Sequence, residues 1–199
     1  MLFSSCYDHA RGVSQFGGGG GDITKAFLDA LPEELKNNKT IIDSRAHMLM
    51  PGWFPCVHGY HHDDVPRTWY DRVSDKLQPN YVNPSYRSKH VMALFHSHIC
   101  PTEFAIGKAD FSDPTSHDIV YKYWHNEVIN NIKAGHLHKV IAPDHQLIFF
   151  DDRTWHQGTK AVKEGWRFFI RASWDTGRIA TNEVRRQVQV YLENTMEGW

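Results

Sequence analysis

Glu164-Gly165-Trp166-Arg167-Phe168-Phe169-Ile170-Arg171-Ala172-Ser173 reads as one β-strand. Side chains along a strand alternate between two faces. Arg167, Phe169, Arg171 and Ser173 therefore share one side, and Trp166, Phe168, Ile170 and Ala172 share the other. Arginines among so many large apolar residues are costly to bury unless an anion meets them. A guanidinium fork matches a carboxylate in a bidentate pair, so this strand asks for an anionic partner on its cationic face.

The same texture extends outward. Leu147-Ile148-Phe149-Phe150-Asp151-Asp152-Arg153-Thr154-Trp155-His156-Gln157-Gly158-Thr159 gives a strand over Gln146 to Phe150, a polar turn, then a histidine. Further strands are predicted at His90 to His98, Phe104 to Ile106, Lys139 to Ile141 and Gln187 to Leu192. Ile41-Ile42, Met48 to Met50 and Phe54 to Val57 read as separate short apolar pieces, parted by turn residues such as Pro51-Gly52. Helical spacing of Ile119, Val120, Tyr123, Trp124, Val128, Ile129 and Ile132 predicts a helix between Pro114 and Gly135, with Trp124 as core packing. Asp22 is the expected N-cap of an earlier helix through Phe27, Leu28 and Leu31, and Pro32 restarts a short second one. Gly17 to Gly21 reads as a mobile loop, because no Gly-Lys-Ser/Thr follows to make a phosphate cradle. Short strands at roughly ten-residue spacing predict a mostly β sandwich or barrel, with flanking helices on the outside of one sheet. No repeat or linker divides the chain, so residues 1–199 are read as a single domain.

Composition narrows the class. Hydrophobic residues make up 41% and charged residues 23% of the 199 positions, a globular balance. No apolar run approaches the length of a membrane span. A basic segment followed by an apolar one is missing from the first residues, so no secretory signal is visible. Cys6, Cys56 and Cys100 form neither a disulfide framework nor a paired metal knuckle, and a reducing, cytoplasmic setting is the expectation. A net charge of −1 does not imply a nucleic-acid partner. The unusual count is 14 histidines, which raises the expectation of a metal site without locating it.

Tyr60-His61-His62-Asp63-Asp64-Val65-Pro66-Arg67 holds two overlapping His-x-Asp pairs. With so many histidines, such a pair arises about once by chance. Its company adds the weight. A His and an Asp two apart on a strand face the same way and can grip one metal, with His156 as a third ligand from elsewhere in the sheet. Two histidines and one carboxylate on one face leave coordination positions open, as in non-haem iron oxygenases.

In order, these three segments resemble the iron(II)/2-oxoglutarate-dependent dioxygenase superfamily over residues 54 to 173. The resemblance implies a double-stranded β-helix, or jelly roll, with His61, Asp63 and His156 as iron ligands. Tyr60 fits the aromatic residue that often precedes the first ligand, which favours this register over His62/Asp64. Arg167 follows His156 by eleven positions, the spacing of the 2-oxoglutarate-binding arginine in the taurine dioxygenase branch. Arg171 would then reach the primary substrate, and the two arginines could exchange roles. Thr102 resembles the threonine that helps hold the co-substrate carboxylate. The implied cofactors are Fe(II), 2-oxoglutarate and O2, and the implied reaction is hydroxylation of a small polar molecule with release of succinate and CO2. Asp64 or a neighbouring carbonyl is expected to orient a ligand imidazole.

Two rival readings remain at this point. His96-Ser97-His98 followed by Glu103 resembles the first metal motif of cupins, and would make a metalloenzyme that needs no 2-oxoacid. A non-catalytic jelly-roll binding module with structural histidines is the other. Glu103, Arg171 and Trp53-Phe54 are the expected lining of a substrate pocket. The sequence does not specify the substrate or the oligomeric state.

Overall fold

Residues 165–174 pair on both sides, antiparallel to a strand on each. The structure is a computed structural model that describes residues 2–8, 13–14, 21–36, 39–68, 78–81, 84–112, 120–178, 184–185 and 190–192. In chain order these form β1 (Leu2–Asp8), β2 (Val13–Ser14), α1 (Gly21–Ala30), α2 (Glu33–Lys36), β3 (Thr40–Leu49), β4 (Arg67–Thr68) and β5 (Gln78–Pro79). Then follow β6 (Lys89–Phe95), β7 (Thr102–Gly107), α3 (Val120–Lys133), β8 (Leu137–Ile141), β9 (Ile148–Asp151), β10 (Trp155–Gly158), β11 (Gly165–Trp174) and β12 (Val184–Arg185).

The described strands make a seven-stranded antiparallel sheet in the order β12-β1-β3-β11-β6-β9, with β2 attached to β1. A three-stranded antiparallel sheet, β10-β7-β8, lies against it, and β4 pairs with β5 alone. The molecule is mostly β, with two antiparallel sheets in the manner of a β-sandwich.

Strand alternation decides what each face buries. From the large sheet, Ile42, Val91, Ala93, Ile170, Ala172 and Trp174 point outward and join Phe27, Leu28, Leu31 and Leu35 of the first two helices in one buried cluster. From the small sheet, Ala105, Leu137 and Trp155 point outward under Val120, Tyr121, Trp124 and Val128 of α3. Helices thus sheathe both sheets, not one. Between the sheets, Met92, Leu94, Phe104 and Phe150 close one side of the sandwich, and polar side chains occupy the rest.

Several boundaries differ from the sequence reading. Residues 40–49 form one continuous strand, because Asp43, Ser44 and Arg45 take up positions in the ladder beside β11 and do not interrupt it. β6 ends at Phe95, short of His98, where His96 adopts a left-handed backbone (φ 60°) and its carbonyl accepts the amide of Ile99 in a turn. β1 pairs in register with β3 although nothing in its short run of mixed residues marks it as a strand. α1 starts at Gly21, which puts Asp22 inside the first turn, where its charge faces the helix's free amides. In the expected 187–192 strand, Tyr191 makes an isolated bridge with Phe54, and residues 186–189 lie outside the described set, as do Gly17 to Gly20 and Pro114 to Ile119.

Candidate metal centre

His61 and His156 face each other across an antiparallel bridge. The His61 amide donates to the His156 carbonyl at 3.0 Å and the reverse bond is 3.3 Å. This bridge adds one rung beside β10, so two distant histidines become neighbours on the sheet's inner face. Their ring centroids are 4.5 Å apart. Asp63, two residues on, returns to the same side. Asp64 then turns the chain with a left-handed backbone (φ 51°), a conformation that aspartate tolerates better than most residues. One ligand atom from each of His61, Asp63 and His156 lies within 4.8 Å of the others.

The hydrogen bonds fix which ring nitrogens converge. His61 Nδ1 meets the Gly59 carbonyl at 2.8 Å, and His156 Nδ1 meets the Thr154 carbonyl at 2.9 Å. A carbonyl only accepts, so each Nδ1 is the protonated nitrogen. Each Nε2 then turns towards the Asp63 carboxylate, at 3.7 Å from His61 and 3.1 Å from His156. Burial, together with the neighbouring His156 ring, pushes His61 down to about 3, so its imidazole is neutral near pH 7. Burial alone would push the Asp63 carboxyl up, but Arg171 and then His156 outweigh it and hold it well below the usual carboxylate range. The Nε2 atoms of two imidazoles and a carboxylate therefore face a common space, and two nitrogens plus one carboxylate suit a borderline divalent metal.

The alternate register points elsewhere. His62 lies against Trp155, with ring centroids 3.7 Å apart, and its Nδ1 bonds the Tyr81 hydroxyl. Asp64 pairs with Arg178, whose Nε is 3.0 Å from Oδ1. The carbonyls of Gly59 and Thr154, not Asp64, orient the two imidazoles.

Arg171 sits directly behind the carboxylate. Nη1 pairs with Asp63, and Nη2 pairs with Asp43 at 3.0 Å. Asp43 is its cross-strand partner on β3 and also receives Arg178 at 2.9 Å. Burial favours a neutral guanidine at Arg171, but Asp63 and Asp43 override it and hold its proton more tightly than usual.

Arg167 is 4% exposed and donates through Nη2 to the Thr102 hydroxyl at 2.8 Å, across the gap between the sheets. Its Nε has no hydrogen-bond partner among the described residues. Both residues line a cavity of about 270 Å³ that also contains His61, Asp63, His156, Arg171 and the apolar walls Met92, Phe150 and Phe169. Arg45 and His47 of β3 line it too and were not singled out in the sequence. The signal was present: Asp43, Arg45 and His47 alternate on one face of a strand whose other face is partly apolar. Splitting that strand into short pieces hid it.

Other expected groups do not assemble. His96 and His98 are exposed in the turn after β6. Glu103 lies on the outer face of β7, bonded to Gln157 at 3.0 Å and to Lys139 at 3.2 Å. Among the described residues, the only set of three close His, Cys, Asp or Glu ligands is His61, Asp63 and His156. Glu103 and Trp53-Phe54 are absent from the cavity wall, while Arg171 belongs to it. No described helix is long and apolar enough to cross a membrane.

No family model and no curated protein matches the chain. Among solved structures it is similar to HygX from Streptomyces hygroscopicus, including an apo, an iron-bound and a nickel- and 2-oxoglutarate-bound form. The apo form gives a TM-score of 0.41 at 11% identity, and covers 89% of this chain and 73% of that one. The iron-bound form gives 0.40 and the form with nickel and 2-oxoglutarate 0.42, each at 10% identity and the same coverage. By either measure the likeness is low.

Proposed function

We propose that this protein is a non-haem iron(II)- and 2-oxoglutarate-dependent oxygenase, built on a jelly roll within a single domain, that hydroxylates a small molecule. The convergence of two imidazoles and the Asp63 carboxylate on one space, with Arg167 and Thr102 paired in the same cavity, carries this reading. His61, Asp63 and His156 would hold the metal, with Gly59 and Thr154 fixing the imidazoles. When bound, iron and 2-oxoglutarate supply the oxidising chemistry: with O2, the 2-oxoacid becomes succinate and CO2, and one oxygen atom enters a substrate C–H bond.

The chain's own residues do the rest. Arg167 offers a buried fork to the distal carboxylate of the 2-oxoacid, and the Thr102 hydroxyl lies within reach of the same carboxylate. Arg171 and Asp43 hold the Asp63 carboxylate in place. Met92, Phe150 and Phe169 keep water from one wall of the cavity. The reading is tested by adding Fe(II) and 2-oxoglutarate without oxygen and recording the visible spectrum. A weak charge-transfer band is expected, followed by slow succinate release when air is admitted. A protein that binds the metal but gives neither signal is not this enzyme.

A further inference from the structure

The cavity's ionic side chains do not balance. Four arginines, Arg45, Arg167, Arg171 and Arg178, stand in or next to it, and three carboxylates, Asp43, Asp63 and Asp64, face them. Arg171 and Arg178 account for all three acids. Arg167 has only the Thr102 hydroxyl. Among the described residues, Arg45 has no ion pair with an acid, and its buried Nε has no hydrogen-bond partner. Burial holds the nearby Cys56 thiol in its neutral form despite both arginines, so no thiolate supplies the missing charge.

Filling the site as proposed leaves this imbalance intact. A divalent metal and a dianionic 2-oxoacid cancel each other, so one positive charge remains among the described side chains of the cavity. Arg45 is half-buried with its Nε shut off from solvent, and a cation so placed without a partner is unfavourable; the simplest remedy is an anion on the ligand that completes the site. Register says which arginine is spare. Along β11, Arg167 pairs across to His47 and Arg171 to Asp43, and Arg45 lies opposite Phe169, between them but one strand over. From there it lines the cavity together with Pro55, Cys56, Val57 and Tyr191.

We propose that the primary substrate is an anion, carrying a carboxylate or similar oxyanion, and that Arg45 is the residue that binds it. This rests on the oxygenase reading above. Arg45 is the free fork for such a group, because both Nη atoms of Arg171 are already engaged by Asp63 and Asp43.

The test uses the full chain loaded with Co(II) and saturating 2-oxoglutarate, with acetate as the anionic probe and acetamide as its neutral isostere. Paramagnetic broadening of each methyl resonance reports occupancy of the cavity. Acetate should broaden saturably, with at least tenfold higher affinity than acetamide. Arg45→Gln should abolish that preference and leave 2-oxoglutarate affinity within about twofold, which also shows that the variant is folded. Equal binding of acetate and acetamide would overturn the proposal. So would a loss of 2-oxoglutarate affinity in Arg45→Gln as large as in Arg167→Ala, since Arg45 would then serve the co-substrate. Failure of the unaltered protein to bind Co(II) or 2-oxoglutarate sinks the oxygenase reading itself, and is seen before either probe is added.

Discussion

Nε2 of His156 lies 3.1 Å from Oδ2 of Asp63, across 93 positions of sequence. Because the opposite ring nitrogen is already committed to the Thr154 carbonyl, Nε2 is the atom left to face the carboxylate, and this contact marks the candidate metal centre more sharply than the His-x-Asp spacing does.

Removing any one of these three donors should remove the metal. His61→Ala, Asp63→Ala and His156→Ala are each expected to lower bound Fe(II) or Co(II) at least tenfold, read as metal per chain after dialysis. His62→Ala, His96→Ala and His98→Ala should keep it, since His62 packs on Trp155 and the other two lie in an exposed turn.

Arg167→Ala should weaken 2-oxoglutarate binding by about a hundredfold, the scale of a lost charge-assisted bond at ~2–3 kcal/mol. Metal content should not change. Thr102→Val removes only the hydroxyl and should cost about tenfold. Calorimetric titration of the Co(II) form separates the two effects, and loss of metal in Arg167→Ala would show that the strand has been misassigned.

Acid should destabilise the metal-free protein well before ordinary carboxylates titrate. His90 is pushed down to about 3 by burial first and Arg171 second, and His61 to about the same value. Between that value and the unfolded pKa near 6.5, the unfolded chain binds more protons, so stability rises with pH in this window. The contribution is complete above about pH 6.5 and is lost as pH falls towards 3, at roughly 1 kcal/mol per pH unit for each histidine. Urea midpoints from pH 4 to 7 should show the slope, and His90→Gln should reduce it.

Gly158→Ala should disturb the cavity lining at Pro55 and Cys56. A Cβ there would lie 2.7 Å from Cys56 Sγ and 3.1 Å from Pro55 Cγ, so the 55–57 wall must move. A loss of about 1–3 kcal/mol in stability is expected from such overpacking. Thermal melts check this, and an unchanged melting temperature would mean that the wall yields freely.

The parts legible in the sequence were those with a short period. Alternation over residues 165–173 and helical spacing over 120–132 survive because each depends only on near neighbours. The candidate ligands were legible because their chemistry is unusual in its order along the chain. What escaped was decided by distant partners. β1 is a strand because β3 offers it a ladder, and Ile41-Ile42 and Met48 to Met50 read as separate pieces because the arginines that meet Asp43 between them, Arg171 and Arg178, lie more than a hundred residues away. The ion pairing of Arg171 with both Asp43 and Asp63 could not be read from spacing either, since the register of β3 on β11 sets it.

Two imidazoles borne on one hydrogen-bonded rung behave as a portable unit. Neither loop length nor the path of the chain between Asp63 and Trp155 determines their separation, which the pitch of paired backbones sets locally. A change in the length of that stretch would therefore leave the spacing of the two rings where the paired backbones set it.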